Sequence, residues 1–297
     1  MSNQFALTEP RLPPELEHKI FQMVALARPK CIPSLMLVAR RVKFWVEPLL
    51  YRVVFLDTPP LPEQDNLGLP IFAPEAVKQI SHNCLRQVRH LLIYAGFVGE
   101  QLQSWLLACT GVTNLCAMFL CTPDILPPIS GFTNIKYLTI DVRALCGTTL
   151  PLPLFLTVTH LELLSYTIAG ELVDCVLQNI SLIPNLTHIA INPHLDELLS
   201  HPALCANAQL QCIIFFSTVI HLDGSPLLDD TRFVCIDDGQ SYYADWLCGA
   251  VFGQTYWSFA DEFLAARRAG TIDRSRNCIV NGKDFEFVKG DRVWIVR

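Results

Sequence analysis

Between residues 80 and 240 the chain repeats one pattern of apolar positions. An apolar residue is followed three places on by a second, and two places later by a third. Six sets fit: Val88/Leu91/Ile93, Leu115/Met118/Leu120, Ile135/Leu138/Ile140, Val158/Leu161/Leu163, Leu186/Ile189/Ile191 and Leu210/Ile213/Phe215. Their first positions lie 27, 20, 23, 28 and 24 residues apart. The last two positions of each set alternate, as in a strand with one face buried. Each set therefore predicts one short strand, and the period of 20 to 28 residues predicts stacking in parallel. A position not used to choose the register tests it. Five places after each set stand Val98, Ile125, Leu145, Ile168, Asp196 and Ile220, five of them apolar. Residues 101–107 and 170–180 are the clearest helix candidates between strands.

The first 57 residues read differently. Pro13 and Pro14 mark a helix start, with Glu15 and Glu17 in its first turn. Leu16, Ile20, Met23, Val24 and Ala27 then share one helical face, and Pro29 ends it. Pro33 opens a second helix with Leu35, Val38 and Val42 inward and Arg40, Arg41 and Lys43 outward. Trp45, Leu49 and Leu50 continue a third helical piece around Pro48, and Val53, Val54 and Phe55 predict a strand leaving the module. Beyond residue 240 aromatic residues crowd together. Residues 258–269 predict an amphipathic helix with Gly270 after it, and residues 283–297 a short hairpin.

Composition narrows the function classes. Hydrophobic residues are 51% and charged residues 17% of the 297, which excludes a disordered chain. Net charge is −6, against a nucleic-acid-binding protein, whose footprint is basic. Residues 1–57 carry eight Lys/Arg and five Asp/Glu, so a small basic module precedes an acidic body. No secretory signal opens the chain, so the twelve cysteines are expected as thiols in the cytoplasm or nucleus. The uncharged stretches 101–123 and 175–195 are long enough to span a bilayer. Their Gly, Asn and Pro residues argue against it, and no membrane partner is expected.

The order of short motifs in the N-terminal module resembles an F-box. Leu12-Pro13-Pro14-Glu15-Leu16 is followed by Ile20-Phe21, then Leu37-Val38-Ala39-Arg40-Arg41-Val42, then Pro48-Leu49-Leu50-Tyr51-Arg52. The likeness is greatest to the F-box-like proteins abundant in mushroom-forming fungi. It departs from them at Trp45, since in many F-boxes a Trp directly follows the basic pair. The body resembles degenerate leucine-rich repeats, without their Asn ladder. The fold implied is α/β: an F-box-like helical module (1–57), a Pro-rich connection (58–80), a degenerate leucine-rich-repeat solenoid with a parallel sheet and short helices (81–240), and an aromatic α/β C-terminal cap (241–297).

The resemblance implies binding, not catalysis. An F-box docks onto the Skp-type adaptor of a cullin–RING ubiquitin ligase. The residues implied here are Leu12, Pro13, Leu16, Ile20 and Phe21, with Leu35 and Val38 nearer the module's own core. The chain would be a substrate receptor, its sheet face holding a client protein through Tyr94, Phe119, Tyr137, His160, Glu162, His188 and Phe216. The rivals are a scaffold whose F-box engages no ligase, and an enzyme with a site among the C-terminal aromatics.

No phosphate-loop, dinucleotide, nucleophile-elbow or metalloprotease motif is present, and no C-x-x-C pair. Cys109, Cys116 and Cys121 read as core residues. His160 and His188 could sit side by side, but two histidines without a third ligand predict no metal, and no cofactor is expected.

Overall fold

The computed structural model describes residues 12–56, 69, 71–73, 76, 79–93, 105–117, 129–145, 153–165, 173–192, 195, 199–216, 222, 224–236 and 242–279. Ten strands form a single all-parallel sheet in the order β10-β9-β8-β7-β6-β5-β4-β3-β1-β2. They are β1 (Val53–Leu56), β2 (Ile71–Phe72), β3 (His90–Ile93), β4 (Asn114–Ala117), β5 (Tyr137–Asp141), β6 (His160–Leu164), β7 (His188–Ile191), β8 (Cys212–Phe216), β9 (Phe233–Ile236) and β10 (Cys278–Ile279). The six predicted strands are the middle of this sheet. Val53–Leu56 does not merely leave the module but pairs with β3, and the Pro-rich connection contributes β2 at the edge.

One register differs from expectation. Leu115 pairs with Leu91 and Ala117 with Ile93, so the second set is Val112/Leu115/Ala117. Leu115 and Ala117 take the inward places, so Ala117 faces the main core rather than outward, while Met118 and Leu120 lie outside the described residues. Residues 115–120 are apolar throughout, so alternation there cannot choose between registers three residues apart. The corrected first positions, 88, 112, 135, 158, 186 and 210, are more even than those read from the sequence.

On one sheet face the inward residues of successive strands join a continuous core with the connecting segments. Leu85, Trp105, Leu106, Ile129, Phe155, Val176, Ile183, Leu204 and Leu227 pack there beneath the strands. The connections include helices α4 (His82–Leu85), α5 (Val173–Ser181) and α6 (His201–Ala206). Residues 105–108 are helical and α5 runs from Val173, in line with the helices predicted at 101–107 and 170–180; residues 101–104 and 170–172 lie outside the described residues. Each repeat buries its apolar side only against its neighbours, the logic of stacked repeats.

Polar side chains tie successive repeats together. At four of the six places just before a first apolar position (Asn134, Thr157, Asn185 and Gln209) the side chain reaches the backbone of the preceding repeat. Thr157 Oγ1 donates to the Ile135 carbonyl at 2.8 Å, Asn185 Nδ2 to Leu156 at 2.7 Å and Gln209 Nε2 to Pro184 at 2.6 Å. At the equivalent place in the second repeat stands Gly111, whose carbonyl accepts from Arg89 at 2.9 Å. A Cβ on Gly111 would sit 2.8 Å from the Arg86 carbonyl and collide with the Arg89 guanidinium. Gly111→Ala is expected to cost about 1–3 kcal/mol, read by thermal denaturation.

The N-terminal module is helical. It comprises α1 (Pro14–Ala27), α2 (Ile32–Leu35) and α3 (Arg40–Leu50), with Pro48 inside α3. Ala25, Ile32, Val42 and Val46 form its own small core, with Phe21, Leu35 and Trp45 against it. Trp45 stacks on His18 at 4.9 Å, and Glu17 pairs with Arg41 at 2.8 Å, tying α1 to α3.

The second sheet face is covered by the C-terminal helices α7 (Tyr242–Phe252) and α8 (Tyr256–Arg268). Trp246, Leu247 and Ala250 of α7 pack on Val53, Phe55, Leu92 and Cys116. Trp257, Ala260, Phe263 and Leu264 of α8 pack on Ala190, Cys212, Ile214, Phe216 and Val234. The aromatic segment expected to cap the open end therefore lies across the face of the sheet, and among the described residues β10 extends the end. Helix α8 starts at Thr255, which shares a capping box with Ser258, and ends before Gly270 at φ 77°. The predicted hairpin at 283–297 lies outside the described residues.

Candidate functional site

Two regions carry the expected site residues. The first is the outer surface of the N-terminal module. Three short helices enclose a core of only a few side chains, leaving apolar residues uncovered. Leu12, Leu16 and Ile20 are 45%, 51% and 47% exposed, and Pro13 is exposed beside them. Phe21 and Leu35 instead lean against the module's core. Val38, expected inward, is 61% exposed, because residues 36–38 form the turn between α2 and α3. The sequence reading did not single out Leu37, at 87% exposed, or Phe44, at 78%. Met23, Val24 and Leu26 extend the exposed apolar surface along α1. Helical periodicity pointed to this stripe but not to its exposure, since a stripe is ordinarily buried.

The second region is the sheet face expected to bind a client. Of its residues, Tyr94 and Phe119 lie outside the described residues. The structure brings Tyr137, His160, Glu162, His188 and Phe216 together, but beneath α7 and α8 rather than on an open surface. Glu162, His188 and Phe216 are buried, and Tyr137 and His160 are half-buried. Glu162 Oε2 accepts from Thr139 Oγ1 at 2.9 Å and from the Tyr256 hydroxyl at 2.8 Å. Burial first, then the Glu162 charge, raises the Tyr256 hydroxyl well above its usual pKa. A cavity of about 20 Å³ remains there, between Asn114, Thr139, Glu162, Trp246 and Tyr256. That is room for about one water molecule, too small for a substrate.

Next to it the rings of His160 and His188 stack at 4.1 Å, with Tyr137 4.4 Å from His160 and Trp257 edge-on to both. His188 Nε2 lies 3.0 Å from Asp261 Oδ1 on α8. Cys212 of β8 pairs with His188 in the sheet. The ligand atoms of His188, Cys212 and Asp261 all lie within 4.8 Å of one another. Sequence analysis found the histidines but not Cys212 or Asp261. Asp261 is 73 residues from His188 and reaches it only because α8 folds back over the sheet.

Burial lowers the His160 pKa to about 3, with the neighbouring His188 adding to the effect and Asp261 opposing it. Burial, with Arg52 and Arg89 nearby, lowers His90 to about 4. Both imidazoles fold neutral, whereas the unfolded chain binds their protons below about pH 6.5. Stability is therefore expected to fall with pH from about 6.5 toward 3. Each histidine adds a slope of up to about 1.4 kcal/mol per pH unit. Thermal melts from pH 7 to 4 check this, and His160→Gln should flatten the dependence.

Cys109 and Cys116 are core residues, as expected, Cys109 in the main core and Cys116 on the opposite face; Cys121 lies outside the described residues. Burial pushes the Cys109 thiol up to about 12, which makes it inert. Asp230 is held by Arg232 at 2.6 Å as a local structural pair. Among the described residues no helix is long and apolar enough to cross a membrane. No family model matches the chain, and no curated protein shows significant similarity to it.

Proposed function

We propose that the protein is a non-catalytic substrate receptor of an SCF-type cullin–RING ubiquitin ligase, its N-terminal module docking a Skp-type adaptor. The observation that carries this is the uncovered apolar surface of the module: Leu12 just before α1, Leu16 and Ile20 on α1, Leu37 and Val38 in the turn between α2 and α3, and Phe44 on α3 are all exposed. Large apolar surfaces left open on a small unit mark partner sites. The ordered motifs that resemble an F-box name the partner class. The receptor itself transfers nothing; it would hold a client near the ligase's other subunits. The client surface is not the strand face as first expected, because α7 and α8 occupy it.

The test is co-elution of the full chain with a purified Skp-type adaptor at moderate salt. A stable one-to-one complex is the expected result. Failure to co-elute, with the chain folded, would leave the second reading, a scaffold whose module engages no ligase. The displaced Trp45 favours that reading: it stacks on His18 rather than following the basic pair.

A further inference from the structure

We infer that His188, Cys212 and Asp261 form a binding site for a divalent transition-metal cation of the zinc class, which pins α8 to the sheet. The inference does not depend on the function proposed above.

The three donors come from β7, β8 and α8, and their ligand atoms lie within 4.8 Å of one another. Zinc takes thiolate, imidazole and carboxylate ligands, whose donor atoms stand about 3.3–3.6 Å apart in a tetrahedral site. His188 Nε2 and Asp261 Oδ1 are already at 3.0 Å, and the Cys212 sulfur, within 4.8 Å of both, has at most about 1.2 Å to close to reach ligand spacing. The nitrogen, sulfur and oxygen mixture selects against calcium and magnesium, which want oxygen alone.

The surroundings fit a ligand role. The other nitrogen of His188, Nδ1, meets Thr187 Oγ1 at 2.7 Å, and that hydroxyl also lies 3.2 Å from the Thr159 carbonyl. A hydrogen bond at the far nitrogen orients a metal-binding histidine and sets its tautomer. When Thr187 donates to Thr159, His188 Nδ1 carries the proton and Nε2 turns a lone pair toward the Asp261 carboxylate. In that tautomer two acceptors face each other and a cation between them satisfies both; in the other, Thr187 donates to Nδ1 and Nε2–H donates to Asp261 directly. Asp261 is 52% exposed, giving ions a path from solvent and leaving a fourth position for water. Burial, then the Asp261 charge, raises the Cys212 thiol pKa, so the thiolate forms only against a bound metal; on binding its proton leaves to solvent, and affinity rises with pH.

The experiment uses the purified full chain and zinc alone, with metal measured after dialysis, and cobalt as the spectroscopic substitute. One zinc per chain is expected, together with a thiolate-to-cobalt band in the near ultraviolet. Asp261→Asn, at a half-exposed position that tolerates change, should weaken zinc binding by at least about tenfold. Cys212→Ser should remove the cobalt band. Absence of bound zinc from the folded chain would overturn the inference and leave a direct His188–Asp261 hydrogen bond. So would a cobalt band that survives Cys212→Ser, or zinc affinity unchanged in Asp261→Asn.

Discussion

Replacing Leu16 and Ile20 together by aspartate is expected to abolish adaptor binding while leaving the sheet folded. Both side chains are about half exposed, so the free protein loses little by the change. In a docked complex the same positions would be buried. Burying an aliphatic side chain contributes about 1.5–3 kcal/mol, and a carboxylate buried without a partner costs several more. The combined loss should exceed about 4 kcal/mol, or roughly a thousandfold in affinity. Affinity measurement checks the first half and the thermal melt the second. Leu182→Asp is the control: Leu182 is also half exposed but lies at the end of α5, in the repeat array, so it should bind the adaptor normally.

The largest expected effect on stability is that of Arg267→Ala. Arg267 is only 4% exposed, near the end of α8. Its Nη2 donates to the carbonyls of Thr231 at 2.8 Å and Phe233 at 2.9 Å. Its Nη1 donates to the Arg276 carbonyl at 3.1 Å and to the Asn277 side chain. One guanidinium thus fastens the helix to β9 and to the segment that becomes β10. Alanine would strand these carbonyls and leave a void against Phe263, over whose ring the guanidinium lies at 5.8 Å. The cost is expected near 3–5 kcal/mol, a large part of the about 5–15 kcal/mol that holds a native protein. Thermal denaturation reads it. Lysine should not restore the loss, since a single ammonium cannot reach four acceptors in that fork geometry.

Much of the sheet was readable from alternation. Leu91/Ile93, Leu138/Ile140, Leu161/Leu163, Ile189/Ile191 and Ile213/Phe215 all point into the main core; around Thr139 and Glu162 alternation alone decides this, and around Leu92, Ala190 and Ile214 the repeat spacing does. At 115–120 every residue is apolar, and the register slipped by three. The outer face was harder to read. It mixes polar residues such as Thr139, Glu162 and His188 with apolar Leu92, Cys116, Ala190, Ile214 and Phe216, and the apolar share is what a parallel sheet covered on both sides requires. Taken with the aromatics of residues 242–264, it could have revealed the covering helices. The meeting of Asp261 with His188 left no local signal, since it depends on a return of the chain that no spacing encodes. The exposed stripe of α1 was visible as a stripe, but exposure is a tertiary fact. It follows from how little the α2 and α3 residues of the small core can cover.

Titration calorimetry of a purified Skp-type adaptor into the full chain tests the central claim most directly. The account predicts one-to-one binding at micromolar affinity or tighter, with the negative heat-capacity change of apolar burial. It also predicts loss of that signal in the Leu16→Asp/Ile20→Asp variant. No binding to the folded chain, or equal binding by the double variant, would contradict it.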